Sequence, residues 1–144
     1  MPVGSIRAPR LSKPPLIAIV DDDDAVREAL HDLLHVEGLA AHTFASGAAL
    51  LADEEAADRF DCIITDVRMP EISGIELQQQ LRLRRSSLPM IFITSSVDEA
   101  TRTRALLGGA AAWFTKPVAD AELLDALWTV LGKRPTGIEK APEG

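Results

Sequence analysis

The sequence of 144 residues predicts an α/β fold, a doubly wound five-stranded parallel sheet with five helices on its two faces. Five short apolar runs alternate with five segments of helical periodicity, and such alternation is typical of a parallel sheet. Most of the apolar runs are continuous, as expected of strands that are buried on both faces. Short connections and right-handed crossovers then favour helices on both sides of the sheet.

Composition and charge narrow the classes of function. Hydrophobic residues make up 47% of the chain, which is enough apolar material for one globular domain with a real core. The net charge is −7, and because both end segments carry a net positive charge, the central part of the chain is more acidic still. We therefore expect no direct binding to nucleic acid or to an anionic membrane surface.

The sequence also carries information about the compartment. No apolar stretch approaches the roughly 18 residues that span a bilayer, and the basic N-terminus is not followed by the apolar region of a secretory signal. The single cysteine, Cys62, excludes an internal disulfide and suits a reducing compartment. Its position in an apolar run predicts a small core residue. We expect a cytoplasmic protein.

One domain is predicted at residues 16–131, between a flexible, basic and proline-rich tail at 1–15 and a flexible tail at 132–144. The second strand is the weakest prediction, because its residues partly alternate in polarity, and this suits an edge of the sheet. The predicted strands lie at residues 16–20, 39–44, 62–64, 89–94 and 111–114.

The helices are predicted where apolar residues recur every three to four positions between start and stop signals. Ser73 followed by Glu76 forms a capping-box pattern, and Ser46 and Asp98 are further N-cap candidates. Gly38 can end the first helix. The predicted helices lie at residues 25–37, 47–54, from 73 to about 85, from 98 to 107, and from beyond 117 to 131.

Polar side chains follow four of the five predicted strands. Asp21 and Asp22 follow the first strand, Asp66 the third, Thr94 ends the fourth, and Lys116 follows the fifth. The carboxyl ends of parallel strands meet at one rim of the sheet, which is where open α/β folds bind ligands. Each residue alone is weak evidence, because Asp is common in turns and as a solvated acidic loop. Together the five residues predict a site.

The chemistry of such a site would be phosphoryl transfer. Three carboxylates repel each other, and a hard divalent cation such as Mg²⁺ relieves that repulsion. A phosphoryl group at Asp66 would meet the cation and Lys116, which both neutralise charge on its oxygens. The Thr94 hydroxyl can donate to a further oxygen. Asp66 is the carboxylate central enough to act as the nucleophile.

These residues stand in motifs that resemble the receiver domain of two-component response regulators, the CheY-like superfamily. The resemblance covers about residues 16–131, and the order and spacing of the motifs make it specific. The amino-acid sequence of these motifs is most similar to that of receivers of the FixJ subgroup. The motifs are Ile19-Val20-Asp21-Asp22, Thr65-Asp66-Val67-Arg68-Met69-Pro70 with Gly74, Ile93-Thr94-Ser95, and Lys116-Pro117.

The resemblance implies a flavodoxin-like strand order of 2-1-3-4-5 and a Mg²⁺ cofactor. Asp66 would be the phosphorylated residue. Asp22 and Asp66 would bind Mg²⁺ together with the main-chain carbonyl of Arg68, and Asp21 would assist through water.

The resemblance also assigns the residues that respond to phosphorylation. Lys116 would bind the phosphoryl group, and its peptide bond to Pro117 would be cis. Thr94 would move toward the phosphoryl group, and Trp113 occupies the position of the switch aromatic residue. The fourth helix, fifth strand and fifth helix would form the output and homodimer face, with Arg102, Arg104, Trp113 and Glu122 as candidates.

We therefore expect a stand-alone receiver that takes a phosphoryl group from a histidine kinase or histidine phosphotransfer protein and signals to a downstream protein. Only 13 residues follow residue 131, too few for a DNA-binding output domain. The receiver would not be an enzyme in the usual sense, since only slow self-catalysed phosphorylation and dephosphorylation is expected.

Three alternatives stay open. The chain could be the receiver piece of a longer transcriptional regulator or hybrid kinase, or a docking module that is not phosphorylated. A Mg²⁺-dependent phosphatase with an aspartyl nucleophile is disfavoured, because such enzymes carry a second Asp two residues after the nucleophile, where this chain has Arg68.

Overall fold

The computed structural model describes residues 15–84, 86–95 and 98–132. The predicted tails at 1–15 and 132–144 lie outside this part of the chain, except for Pro15 and Gly132. Among the described residues, no helix has both the length and the apolar character needed to cross a membrane.

Five parallel strands form one sheet in the order β2-β1-β3-β4-β5, which confirms the predicted fold class and strand order. The central strand β3 is buried along its whole length, whereas β2 lies at an edge and is partly exposed, as its mixed polarity predicted. The strands are β1 (Leu16–Val20), β2 (Ala40–Phe44), β3 (Cys62–Thr65), β4 (Met90–Thr94) and β5 (Ala112–Thr115).

Five of the helices in the described residues correspond to the predicted ones, and a further single-turn helix, α3, was not predicted. The helices are α1 (Asp24–Val36), α2 (Gly47–Leu51), α3 (Ala56–Arg59), α4 (Gly74–Leu83), α5 (Glu99–Leu107) and α6 (Asp120–Leu131). The prediction of α2 through residue 54 was wrong. Asp53 ends the regular helix there, because its carboxylate accepts a hydrogen bond from the Glu55 main chain at 3.0 Å and pairs with Arg59 at 3.0 Å.

Three helix starts in the described residues follow the predicted capping residues. Ser46 caps α2, Asp98 caps α5, and Ser73 with Glu76 forms the complete capping box of α4. The helix α1 begins at Asp24, one residue earlier than predicted. Asp23 caps it, since its carboxylate accepts hydrogen bonds from two main-chain N–H groups of the first turn.

Two hydrophobic cores lie on opposite faces of the sheet. The helices α1 and α6 cover one face, where Leu34 and Leu127 are fully buried. The helices α2, α4 and α5 cover the other face, where Leu50 and Leu77 are fully buried. Cys62 belongs to the first of these cores, and burial raises the pKa of its thiol to about 12, so it packs as a neutral core residue. With both faces covered, the rim at the strands' carboxyl ends stays open to a ligand.

Candidate functional site

The site is built on residues that directly follow neighbouring strands. The Asp21 N–H donates to the Phe44 carbonyl at 3.1 Å, and the Asp66 N–H donates to the Val20 carbonyl at 3.1 Å. The Lys116 N–H donates to the Thr94 carbonyl at 2.7 Å. Main-chain hydrogen bonds across the sheet thus carry both aspartates and the lysine to the same rim, as the strand order requires.

Lys116 is shared by two buried carboxylates. Its Nζ lies 3.1 Å from Asp66 Oδ2 and 3.3 Å from Asp21 Oδ2. The side chains of Asp66 and Asp21 are 11% and 4% exposed, so little water screens these contacts. The peptide bond between Lys116 and Pro117 is cis.

The second oxygen of Asp66 faces the main chain of the following loop. Asp66 Oδ1 accepts a hydrogen bond from the Val67 N–H at 2.6 Å, and the Arg68 N–H lies at 3.4 Å from the same atom. The loop returns to this point at the start of α4, because the Gly74 N–H donates to the Val67 carbonyl at 2.8 Å. The Asp66 carboxylate is therefore oriented from both sides.

Three carboxylates converge at this rim. One oxygen from each of Asp21, Asp22 and Asp66 lies within 4.8 Å of the others. Lys116 is within ion-pair distance of two of them, and negative charge is in excess. An all-oxygen set with excess negative charge fits a hard divalent cation such as Mg²⁺. These residues therefore fit the metal that the sequence predicted, and the Arg68 carbonyl stays a predicted ligand.

Burial and pairing shift the pKa values in the site. Burial raises the pKa of Asp21 above its usual value, although hydrogen bonding and the charge of Lys116 partly oppose this. Partial burial alone would lower the pKa of Lys116, but the hydrogen bonds and charges of Asp66 and Asp21 outweigh it and raise that pKa. Without a metal, ionised Asp21 therefore destabilises the fold at neutral pH.

We expect Asp21→Asn to raise the free energy of unfolding at pH 7 by about 1 kcal/mol when divalent cations are chelated. Because the pKa of Asp21 is raised in the folded state, the contribution of Asp21 to stability falls as pH rises from the usual aspartate value of 3.8 through the folded pKa. The neutral amide lacks this loss, and its oxygen can still accept the hydrogen bond that Asp21 Oδ1 receives from the Asp23 N–H at 2.9 Å.

The measurement is urea unfolding of both proteins between pH 4 and pH 7 with a chelator present. The difference in stability should shrink toward pH 4. A variant less stable than the wild type at pH 7 would show that pairing with Lys116 outweighs the burial of the Asp21 charge.

Of the two predicted switch residues, Thr94 lies at the rim that carries the site. Thr94 is fully buried at the end of β4. Trp113 is partly buried in β5, and its ring centroid lies 5.8 Å from that of Phe92. Because Phe92 and Trp113 are paired in register across β4 and β5, Trp113 is two residues away from the Thr94 row of the sheet.

The other residues predicted for the output face, Arg102, Arg104 and Glu122, do not form one cluster with the site. Arg104 lines a cleft of about 490 Å³ together with Arg68, on the side of the site where the loop after β3 meets α5. Arg102 is exposed and lies 3.7 Å from Glu99, and Glu122 is exposed in the first turn of α6.

Sequence reasoning missed one residue near the site, Arg27. Its Nη1 donates to the Asp21 carbonyl at 2.7 Å, and its Nη2 pairs with the Asp24 carboxylate. The spacing of three residues between Asp24 and Arg27, which places them on one face of a helix, was the available signal.

Comparison with known proteins agrees with this geometry. The family model described as the response regulator receiver domain matches residues 17–128. The chain is 41% identical over 128 residues to the response regulator protein TmoT of Ectopseudomonas mendocina, covering 89% of this chain and 58% of that protein. It is 42% identical over 117 residues to the transcriptional regulatory protein FixJ of Azorhizobium caulinodans, covering 81% of this chain and 55% of that protein.

The crystal structure of FixJ-N superposes with a TM-score of 0.75 at 31% identity, covering 83% of this chain and 95% of that one. The chain spans little more than half the length of the curated relatives that it matches. The family model matches most of the described residues, and the sheet has the expected strand order. These findings show that this chain belongs to the response regulator receiver domain family of two-component systems.

Proposed function

We propose that this receiver domain accepts a phosphoryl group on the carboxylate of Asp66, in a reaction that requires Mg²⁺. The observation that carries the proposal is the position of Lys116 Nζ, 3.1 Å from Asp66 and 3.3 Å from Asp21, beside a third carboxylate. A cation next to a buried nucleophile and a metal-binding set of oxygens is what phosphoryl transfer requires.

In the proposed reaction an Asp66 oxygen forms the bond to phosphorus while the bond to the donor's leaving group breaks, and the leaving group keeps the electron pair. The Val67 N–H holds the carboxylate in place at 2.6 Å. Lys116 is already positioned to neutralise charge that spreads over the phosphoryl oxygens. Attack by water on phosphorus would later release phosphate and restore the carboxylate.

The proposed Mg²⁺ ligands are the carboxylates of Asp22 and Asp66 and the main-chain carbonyl of Arg68, with the Asp21 carboxylate assisting through water. When bound, Mg²⁺ supplies further positive charge to the phosphoryl oxygens. The residues that hold it would also lose their mutual repulsion, so binding should favour the folded chain.

The signal would leave the site through Thr94 and β5. If the Thr94 hydroxyl donates to the phosphoryl group, Thr94 would move and displace the end of β4. The Thr94 carbonyl accepts a hydrogen bond from the Lys116 N–H at 2.7 Å, so this movement would reach the residue that follows β5. The neighbouring Trp113 would then repack against Phe92. The output face in this proposal consists of α5, β5 and α6, and it would bind a downstream protein or a second copy of the chain.

The proposed donor is a histidine kinase or a histidine phosphotransfer protein in the cytoplasm. Two arrangements remain for the output, a stand-alone receiver or the receiver part of a longer regulator, because the curated relatives are longer than this chain. The mass of the protein in cells of its source organism would separate the two. A non-phosphorylated docking module is the second candidate function, and the acidic set with Lys116 disfavours it.

The first test is the intact mass of the protein after incubation with the small phosphodonor phosphoramidate. We expect one phosphoryl adduct in the presence of Mg²⁺ and none with excess chelator. Absence of an adduct under both conditions would leave the docking module as the better reading. Repeated turnover of a phosphomonoester such as p-nitrophenyl phosphate would instead indicate a phosphatase.

A further inference from the structure

The carboxylate of Asp22 is the least supported part of the site. It is exposed, and within the described part of the chain no hydrogen bond holds its side chain. By contrast, both oxygens of Asp21 are engaged, Oδ1 by the Asp23 N–H at 2.9 Å and Oδ2 by Lys116 at 3.3 Å. The direction of the Asp22 side chain therefore depends on its main chain.

Both peptide groups that flank Asp22 are held. The N–H of the following peptide, which belongs to Asp23, donates to Asp21 Oδ1. The carbonyl of the preceding peptide, which belongs to Asp21, accepts from Arg27 Nη1 at 2.7 Å. Since two peptide planes determine where the side chain between them points, Arg27 supplies one of the two constraints on Asp22.

Arg27 is well placed to hold this carbonyl. Its side chain is only 18% exposed, and its other terminal nitrogen pairs with Asp24, which is itself 83% exposed. A planar guanidinium can hold a carbonyl and a carboxylate at once, whereas a lysine ammonium is a single point charge on a flexible stem. The helix α1 is thereby tied to the loop that carries Asp21 and Asp22.

We infer that Arg27 is a positioning residue for the divalent-cation site. Arg27 holds the Asp21 carbonyl, and this keeps the Asp22 carboxylate directed at Asp21 and Asp66. The inference rests on the proposed Mg²⁺ site and adds a residue to its supporting shell. Charge alone predicts the opposite effect of removing Arg27, because a lost cation makes an acidic site more attractive to Mg²⁺. The sign of the change in affinity therefore separates positioning from charge.

The test is a Mg²⁺ titration of the full chain followed by the NMR shifts of main-chain amides. We expect Arg27→Gln to weaken Mg²⁺ binding by about tenfold, the lower end of the effect of removing a residue that orients metal ligands. The Mg²⁺ affinity of Arg27→Lys should lie between that of Arg27→Gln and that of the wild type. The matched control is Arg59→Gln, which removes a partly exposed arginine paired with Asp53 far from the site and should leave affinity unchanged.

A second measurement needs no metal. In chelated protein, Arg27→Gln should speed hydrogen exchange of the Asp23 amide, and Arg59→Gln should not. Where Arg27→Gln is too unstable to titrate, Arg27→Lys decides alone, and affinity equal to the wild type would overturn the inference.

The remaining outcomes are also decisive. Equal or tighter Mg²⁺ binding by Arg27→Gln would overturn the positioning role while leaving the proposed function intact. An equal loss in Arg59→Gln would show a general effect of stability and also overturn it. A wild type that does not bind Mg²⁺ would overturn the proposed metal site, and the role of Arg27 with it.

Discussion

Asp66→Asn is expected to abolish the phosphoryl adduct completely. The substitution removes the nucleophilic oxygen but keeps the size of the side chain. The amide oxygen can still accept the hydrogen bond that Asp66 Oδ1 receives from the Val67 N–H at 2.6 Å. The fold should therefore be retained, because the change also removes one of three repelling carboxylates. Intact mass after incubation with phosphoramidate and Mg²⁺ measures the result.

The control for this experiment is Asp58→Asn, which changes an exposed aspartate in α3 and should leave the adduct at the level of the wild type. Treatment with hydroxylamine adds a chemical check, because an acyl phosphate is cleaved by this nucleophile whereas a phosphoserine is not. If Asp66→Asn still formed an adduct in full yield, another residue would be the acceptor and the proposed role of Asp66 would be wrong.

Gly74→Ala is expected to lower the free energy of unfolding by about 3 kcal/mol, the upper part of the range for overpacking a buried site. A Cβ at this position would overlap the Asp66 carbonyl oxygen and lie 3.1 Å from Val67 Cα. Both contacts are with main chain, which cannot move without displacing the loop that carries the nucleophile. The clash outweighs the better helix propensity of Ala, worth about 1 kcal/mol. Urea unfolding measures the loss.

Gly47→Ala is a matched control for Gly74→Ala. Both glycines are buried first residues of a helix, and each follows a serine N-cap. At Gly47 the added carbon would meet the end of the Ile72 side chain at 2.8 Å, and a side chain can rotate away. We expect a loss below about 1 kcal/mol there. Similar losses in both variants would show that the main-chain contact at Gly74 is not special.

The secondary structure was largely predictable because its signals are local. Continuous apolar runs marked most of the strands, and predicted serine and aspartate caps marked three of the helix starts. The exception was the segment between α2 and β3. There Asp53 forms a turn with Glu55 and pairs with Arg59, contacts that no periodicity reveals.

The roles of the four aspartates at residues 21–24 were less predictable, because the path of the main chain places each of these identical side chains beside different partners. Asp21 is buried and paired with Lys116, whereas Asp22 is exposed beside the other carboxylates. Asp23 caps α1, and Asp24 pairs with Arg27. The sequence placed this run at the end of a strand and assigned Asp21 and Asp22 to the site, but it did not predict the cap formed by Asp23 or the pairing of Asp24 with Arg27.

The sequence by itself determined the alternation of strands and helices, the motifs of the receiver family, and the set of polar residues that end the strands, because each is written in a short stretch of chain. Only the tertiary structure decided the contacts among those residues. Lys116 lies 50 residues from Asp66 and 95 from Asp21 along the chain, yet it contacts both. The physical reason is that sheet register and burial, which depend on the whole domain, set those distances.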